Sequence, residues 1–236
     1  MARTATTLRP LIRQVAGAIV FNRTSQYIDL GNAGPISTVT GSFTLSAWFK
    51  RSVNSVQSVV GDRGSGAIQH FTINFNTSYR SVPLVTTSGG GTAFNILTPY
   101  PLFQWQHELI RYDGVNASIF RMGQLEAQAA RTGTITAPVG NMSIGSGNGA
   151  VRFWAGPAAE VKFWTRALTD QEVPDVYAGV DNAGIRSGIA SEWSLISNAN
   201  DTTGANNGTL NGSPTFTSTD VPFSLRVATT GRVATS

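Results

Sequence analysis

The sequence predicts an all-β fold of the sandwich or jelly-roll type. Apolar side chains alternate with their neighbours along several short segments, and this period of two is typical of a strand with one face on a core. Glycine-rich and Asp-Gly turn signals separate the segments at spacings of about 8–12 residues. Only 13% of the residues are charged and 41% are hydrophobic, a composition that disfavours disorder, coiled coils and helical bundles.

The clearest strand pattern lies at residues 43–50. Phe43, Leu45, Ala47 and Phe49 occupy alternate positions, so we expect them to form one buried face. Weaker alternation recurs in three further segments: 71–75, 105–112 and 161–163. Several short strands of this kind predict two packed sheets or a closed barrel-like roll.

One short helix is predicted near residues 169–178. Thr169 and Glu172 form a capping box, in which the threonine hydroxyl accepts from the backbone N–H three residues on and the glutamate reaches back. Pro174 fits the first turn, and Gly179 is suited to end the helix. The helix is therefore limited to a few turns.

The positive charge of the chain is concentrated at its N-terminus. The formal net charge is +4, and residues 1–28 contain Arg3, Arg9, Arg13 and Arg23 but no acidic residue. We therefore divide the chain into a basic arm at 1–17, a sandwich at 18–222 and a tail at 223–236. The arm interleaves arginines with apolar groups, a pattern suited to assembly with a neighbour. Its assembly residues are Arg3, Leu8, Arg9, Leu11, Ile12 and Arg13.

Several classes of function are disfavoured by composition. The chain has no cysteine and two histidines, which removes disulfides and thiolate chemistry and leaves little for zinc. No apolar run approaches the roughly 20 residues of a membrane span, and arginines interrupt the only signal-peptide-like stretch. We expect cytoplasmic synthesis without a signal peptide, no membrane insertion, and no nucleic-acid binding by the neutral body.

Six segments in order resemble the laminin-G-like branch of the concanavalin A-like lectin/glucanase superfamily. They are Gln26–Leu30, Phe43–Lys50, Trp105–Gly114, Ala117–Gly123, Ser143–Ser146, and Phe153–Gly156 continued by Glu160–Glu172. Downstream, Asn200–Gly212 resembles a polar segment that often accompanies such domains. The resemblance implies a two-sheet antiparallel jelly-roll sandwich. It does not imply one function, because this superfamily includes lectins, adhesion modules, glycosidases and particle components.

The residues needed for catalysis are missing from the expected positions. Retaining glycoside hydrolysis uses two carboxylates about 5–5.5 Å apart, and the nearest candidate, Glu160, has alanine and lysine where glucanase relatives carry further acids. His107 and Glu108 are neighbours on a strand, so their side chains face opposite ways and cannot form a triad. We expect no enzymatic activity and no catalytic residue.

Two kinds of binding site remain open. Asp201, Asn206 and Asn207 offer oxygens to calcium in one loop, and Asp29 could join them; no other cofactor is expected, and ordinary turn chemistry explains the same residues. Tyr100, Trp105 and Trp154 could supply an aromatic platform for a glycan, although tryptophan in a sandwich is more often part of the core.

The termini and the missing active site favour a structural or attachment protein of a virion-like particle, such as a phage decoration or tail protein. In this hypothesis the sandwich is displayed on the particle surface, and the arms mediate self-association or docking on other particle proteins. The alternative is a freestanding glycan-binding module. A glycosidase is a remote third reading.

Overall fold

The computed structural model of the chain describes residues 11–12, 16–62, 70–78, 81, 83–93, 99–138, 140–147 and 151–222. The strands of the first half are β1 Leu11–Ile12, β2 Ala18–Asn22, β3 Tyr27–Gly31, β4 Phe43–Lys50, β5 Gln57–Gly61, β6 Phe71–Phe75, β7 Leu84–Thr87, β8 Gly90–Ala93 and β9 Trp105–Tyr112. The later strands are β10 Asn116–Arg121, β11 Gln124–Ala130, β12 Met142–Ile144, β13 Ala155–Trp164, β14 Val180–Asp181, β15 Ile189–Trp193, β16 Thr209–Asn211 and β17 Thr215–Thr217. The helices are α1 Pro35–Thr38, α2 Glu172–Tyr177 and α3 Ala183–Arg186.

Two antiparallel sheets form the predicted sandwich. The eight-stranded sheet has the order β11-β10-β9-β4-β13-β2-β17, with β15 also paired to β13. The seven-stranded sheet has the order β16-β3-β12-β5-β6-β7-β8. The all-β jelly-roll class expected from the sequence is confirmed.

The core between the sheets contains the alternating residues of β4. Phe43, Leu45, Ala47 and Phe49 are each fully buried, as predicted. Phe43 stacks on Phe71 of the facing sheet with ring centroids 4.3 Å apart. This face of β4 therefore joins the two layers directly.

The outer face of β4 is buried as well, which the alternation did not predict. Thr44, Ser46 and Trp48 are at most 4% exposed. Trp48 stacks on Tyr177 of α2 with centroids 5.5 Å apart, and the Thr44 hydroxyl donates to the Arg166 carbonyl. A third layer, built from the α2–α3 segment, therefore covers the middle of the eight-stranded sheet.

The capping box that begins α2 is formed as predicted. The Thr169 N–H donates to Glu172 Oε2 at 2.7 Å, and the Glu172 N–H donates to the Thr169 hydroxyl at 3.3 Å. Gly179 follows the helix with φ +73°. The four-residue helices α1 and α3 were not predicted, because one turn is too short to show a helical period.

A bulge divides β13 into two halves. Glu160 has φ +47°, and the register with β4 shifts between Ala159 and Lys162. Before the bulge β13 pairs with β2, and after it β13 pairs with β15. No helix in the described part of the chain is long and apolar enough to cross a membrane.

Replacing Phe43 by alanine should destabilise the fold by about 3–5 kcal/mol, because the ring is fully buried and the sheets cannot close over the space. Thermal or chemical unfolding measures the change. The exposed Val115→Ala variant serves as the control, and an unchanged melting temperature for Phe43→Ala would contradict the packing described here.

The α2 capping box should make stability depend on acid pH. The hydrogen bond from Arg166 lowers the pKa of Glu172 from 4.5 to about 2. Because the folded chain holds the carboxylate ionised, this stabilisation is present above about pH 4.5 and is lost as the pH falls towards 2. Glu172→Gln should therefore melt below the parent at pH 7, with the difference shrinking through that window. The exposed Val115→Ala variant, which removes no titratable group, should keep a constant difference from the parent across that window.

Candidate ligand-binding cavity

A cavity of about 390 Å³ lies where β4 ends and β13 begins. Lys50 and Val20 line it from the outer face of the eight-stranded sheet, since their neighbours Phe49, Ile19 and Phe21 belong to the inner core. The volume falls within the range of small-molecule sites, which is about 300–1,000 Å³.

Phe103 forms an exposed aromatic wall of this cavity. It is 67% exposed, the most exposed of the large hydrophobic side chains in the described residues. Its backbone has φ +59°, and its N–H donates to the Arg51 carbonyl at 2.8 Å. A non-glycine residue in the left-handed region is uncommon, so the loop holds this ring outward against a local backbone preference.

A paired ammonium and carboxylate also line the cavity. Lys50 Nζ makes an ion pair with Asp220, whose other oxygen accepts from the Trp105 indole N–H at 3.0 Å. Lys50 Nζ also lies 5.9 Å from the centre of the Trp105 ring. The pair is partly exposed, since the Asp220 side chain retains 41% of its accessible surface. The site therefore offers charge-assisted donors and acceptors with no net charge.

The floor requires a glycine. Gly156 has φ +125°, and a Cβ atom there would lie 2.1 Å from the Lys50 carbonyl oxygen. The Ser52 N–H also donates to the Ala155 carbonyl at 2.9 Å, so the two chain segments approach closely. Gly156 thus allows the backbone of β13 to lie directly against the backbone at Lys50.

Two uncharged polar groups complete the rim. The Asn22 side-chain oxygen accepts from the N–H groups of Thr24 and Ser25, which orients its amide nitrogen as a remaining donor. Ser52 also lines the cavity and offers a hydroxyl. The cavity therefore combines a ring face with both donors and acceptors.

The three aromatic residues predicted for a glycan platform have different positions. Trp105 is partly buried beside the cavity through its contacts with Lys50 and Asp220. Tyr100 and Trp154 are fully buried in the core between the sheets. A ring with no exposed face cannot stack on a sugar, so the prediction is wrong for these two residues.

The site residues predicted from the sequence do not include Phe103, Lys50 or Asp220. The position of Phe103 in the loop before Trp105 could have indicated an exposed aromatic ring, because loops lie on the protein surface. Lys50 and Asp220 lie far apart along the chain, and nothing in either local segment indicates that they pair.

The loop predicted to bind calcium is closed by its own hydrogen bonds. Asp201 Oδ1 accepts from the Glu192 N–H at 2.8 Å and from the Thr203 N–H and hydroxyl, while Oδ2 accepts from the Asn206 N–H. The Asn207 side-chain oxygen accepts from the Asp201 N–H at 2.9 Å. The loop does bring Asp201, Asn206 and Asn207 together, but these bonds use most of the oxygens that calcium would need.

Asp29 has separate partners. Its carboxylate accepts from the Gly31 N–H at 2.8 Å and from the Asn141 amide at 3.0 Å. Over the residues that the structure describes, no group of three or more His, Asp or Glu side chains could hold a metal ion. Calcium binding by this chain stays a prediction.

The side chains considered for catalysis are buried and lie apart. His107 faces outward against Trp48 and Tyr177, and burial lowers its pKa to about 3. Glu108 faces the core, where the Tyr100 hydroxyl donates to it at 2.6 Å and burial raises its pKa to about 7. The two neighbours therefore point in opposite directions, as argued from the strand geometry.

Glu160, the position compared with glucanase acids, belongs to a buried ion network. Lys162 Nζ lies 3.1 Å from Glu160 and 3.4 Å from Glu192, and Glu192 also pairs with Arg186. The Glu160 and Glu192 side chains are only 6% and 1% exposed. This arrangement secures the bulge in β13 and leaves little carboxylate surface for a substrate.

The assembly arm lies mostly outside the described residues. Arg3, Leu8, Arg9 and Arg13 are not among them. Leu11 and Ile12 form β1, which pairs antiparallel with Val180–Asp181 of the same chain.

Comparison with known proteins identifies the family. A laminin-G-like family model of the concanavalin A-like lectin/glucanases superfamily matches residues 22–174. A search of curated proteins finds no match.

Three solved structures share the architecture. A candidate carbohydrate-binding protein from Bacteroides ovatus is 20% identical, with a TM-score of 0.71 over 91% of this chain and 62% of that one. A native heptameric SAP-like pentraxin from Limulus polyphemus is 14% identical, with a TM-score of 0.57 over 86% and 96% of the two chains. Domain 4 of an extracellular arabinanase from Geobacillus stearothermophilus, solved with arabinotriose, is 15% identical, with a TM-score of 0.54 over 73% and 82%.

At these identities the similarity shows a shared fold, and this chain spans about three fifths of the length of the Bacteroides protein. The family match covers more than half of the 236 residues and includes β4, β9, β10 and β13. The chain therefore belongs to the concanavalin A-like lectin/glucanase superfamily.

Proposed function

We propose that this protein is a lectin-like, non-enzymatic binding protein that takes a neutral glycan in the cavity beside Phe103. The observation that carries the proposal is that the exposed Phe103 ring and the Lys50–Asp220 pair line the same cavity of about 390 Å³. The same class of ligand is supported by the similarity to the candidate carbohydrate-binding protein from Bacteroides and to the Geobacillus domain solved with arabinotriose.

The chemistry of the cavity matches a sugar ring. One face of a sugar is a patch of C–H groups, which packs on an aromatic ring, while the hydroxyls at its edge both donate and accept hydrogen bonds. Phe103 supplies the ring, Asp220 an acceptor, and Lys50 and Asn22 donors. The lining groups therefore match both the apolar face and the hydroxyls of one sugar.

A neutral sugar fits better than a charged one. Lys50 and Asp220 neutralise each other, and the other lining residues are uncharged. An acidic sugar would gain attraction to Lys50 but meet repulsion from Asp220 at a similar distance. The cavity therefore distinguishes one sugar from another through hydrogen bonding and shape.

Binding without hydrolysis is supported by the carboxylates around the cavity. Among the lining residues that the structure describes, Asp220 is the sole carboxylate, and it is held by Lys50 and Trp105. Hydrolysis with retention or inversion uses two carboxyl groups across the scissile bond.

A titration of neutral oligosaccharides followed by calorimetry tests the proposal. Phe103→Ala should weaken binding of the glycan that binds the parent by about tenfold or more, which corresponds to at least about 1.4 kcal/mol. Because Phe103 is exposed, its melting temperature should stay close to that of the parent. Val115→Ala, which removes an equally exposed apolar group at a distant turn, should leave binding unchanged.

Unchanged affinity in Phe103→Ala would show that the ligand binds elsewhere. Release of reducing sugar during incubation would contradict the non-enzymatic part of the proposal.

Calcium is proposed at most as a stabilising ion at the Asp201 loop. If it binds, calcium at a hundred times its dissociation constant should stabilise the fold by about 2.7 kcal/mol. Thermal unfolding in calcium and in chelator measures this stabilisation. Identical melting temperatures in the two conditions would show that calcium does not bind the folded chain.

Attachment to a virion-like particle also stays a proposal. It is supported by the arginines of residues 1–17, which have no acidic counterpart there. A glycan-binding body and assembling arms are compatible, because the described residues that line the cavity all belong to segment 18–222.

A further inference from the structure

A second cavity lies at the other end of the outer face of the eight-stranded sheet. It has a volume of about 340 Å³ and is enclosed by β9, the β10–β11 hairpin and the start of α2. Arg111 lines this cavity, whereas Trp105, six residues earlier on β9, lies beside the first. At about 3.3 Å per residue the two sites are roughly 20 Å apart along the strand.

Arg111 is a buried cation whose hydrogen bonds are incomplete. The residue is 8% exposed, and its Nη1 donates to the Leu168 carbonyl at 2.9 Å and to Asp170 at 2.6 Å. Its Nε is buried and has no hydrogen-bond partner within the described residues. Nη2 likewise makes no hydrogen bond there, but it is less deeply buried than Nε. It is therefore the guanidinium nitrogen that a ligand can reach.

The walls are apolar on two sides. The guanidinium carbon lies over the Phe120 ring, 4.8 Å from its centre, which places the cation on an aromatic face. Leu125, 56% exposed, and Pro174 form the other apolar surfaces. Gln128 donates to the Ser118 hydroxyl at 2.9 Å, which turns its amide oxygen into the free acceptor.

We propose that this second cavity binds a small ligand through a carboxylate on Arg111 Nη2 and an apolar face on Leu125 and Pro174. A guanidinium with unused N–H groups can bind a ligand carboxylate through charge-assisted hydrogen bonds. The acceptor oxygen of Gln128 suits a hydroxyl on the same ligand. Hexuronic acids and small apolar carboxylic acids share the required carboxylate.

Asp170 limits the affinity of this site. Its side chain is 75% exposed, and it lies on the turn before α2 while pairing with Arg111. A ligand carboxylate on Nη2 would approach the Asp170 carboxylate on Nη1 and be repelled by it. Removing that charge while keeping the side-chain shape should therefore strengthen binding.

Titrations of glucuronate, glucose and benzoate into the full chain test the proposal, with chemical shifts or heat as the readout. Glucuronate or benzoate should bind, and glucose should not. Asp170→Asn should raise the affinity about three- to tenfold. Arg111→Lys should lower it at least tenfold, and Leu125→Ala should weaken it without changing the melting temperature.

The tighter of the two acids identifies whether the carboxylate comes from a sugar or from an apolar acid. Phe103→Ala should leave this binding intact, which separates failure of this proposal from failure of the neutral-glycan site. Equal binding of glucose and glucuronate, no binding of either acid, or weaker binding in Asp170→Asn would each overturn the proposal. If Arg111→Lys does not fold, the Asp170→Asn and Leu125→Ala variants still test whether the second cavity binds the carboxylate.

Discussion

The bulge at Glu160 is the constraint on which the rest of the structure depends. It allows the strand Ala155–Trp164 to pair with β2 before the bulge and β15 after it, while β4 follows its other edge. Such a bulge needs a local irregular backbone, and the ion pairs of Lys162 with Glu160 and Glu192 stabilise it. Removing one partner would leave a buried charge, which costs more than the pair contributes. The network is therefore structural.

The layer over the middle of the eight-stranded sheet explains why both cavities lie at its ends. Trp48 and His107 on the outer face pack against Tyr177 of α2, so the centre of that face is closed to ligands. At one end the strands project beyond this cover and form the neutral site beside Phe103. At the other end, beside α2, Arg111 pairs with Asp170 and keeps N–H groups that make no hydrogen bond in the described part of the chain. The same sheet thereby presents two cavities, each lined by a paired cation and carboxylate.

The features that could be predicted from the sequence are those that depend on residues close together in the chain. Alternation at Phe43–Phe49 and the Thr169–Glu172 capping box depend on neighbours in the chain, and both are present as predicted. Burial of Trp48 on the opposite face depends on α2, more than 120 residues away, so period alone could not show it. Tyr100 was assigned to a surface platform for the same reason: its aromatic character was visible, but its position between the sheets was not. The Lys50–Asp220 pair forms only when the eight-stranded sheet brings β4 close to the segment that follows β17.

The indole N–H resonances of the five tryptophans provide the most direct test of the glycan-binding account. Trp105 donates to Asp220 at the cavity, whereas Trp164 and Trp193 donate to the carbonyls of Ile185 and Asn206 beneath the surface. In a heteronuclear titration with neutral oligosaccharides, glycan binding beside Phe103 should shift the Trp105 signal in a saturable way and leave the signals of the buried indoles unchanged. A saturating glycan that leaves the Trp105 signal unchanged would contradict it.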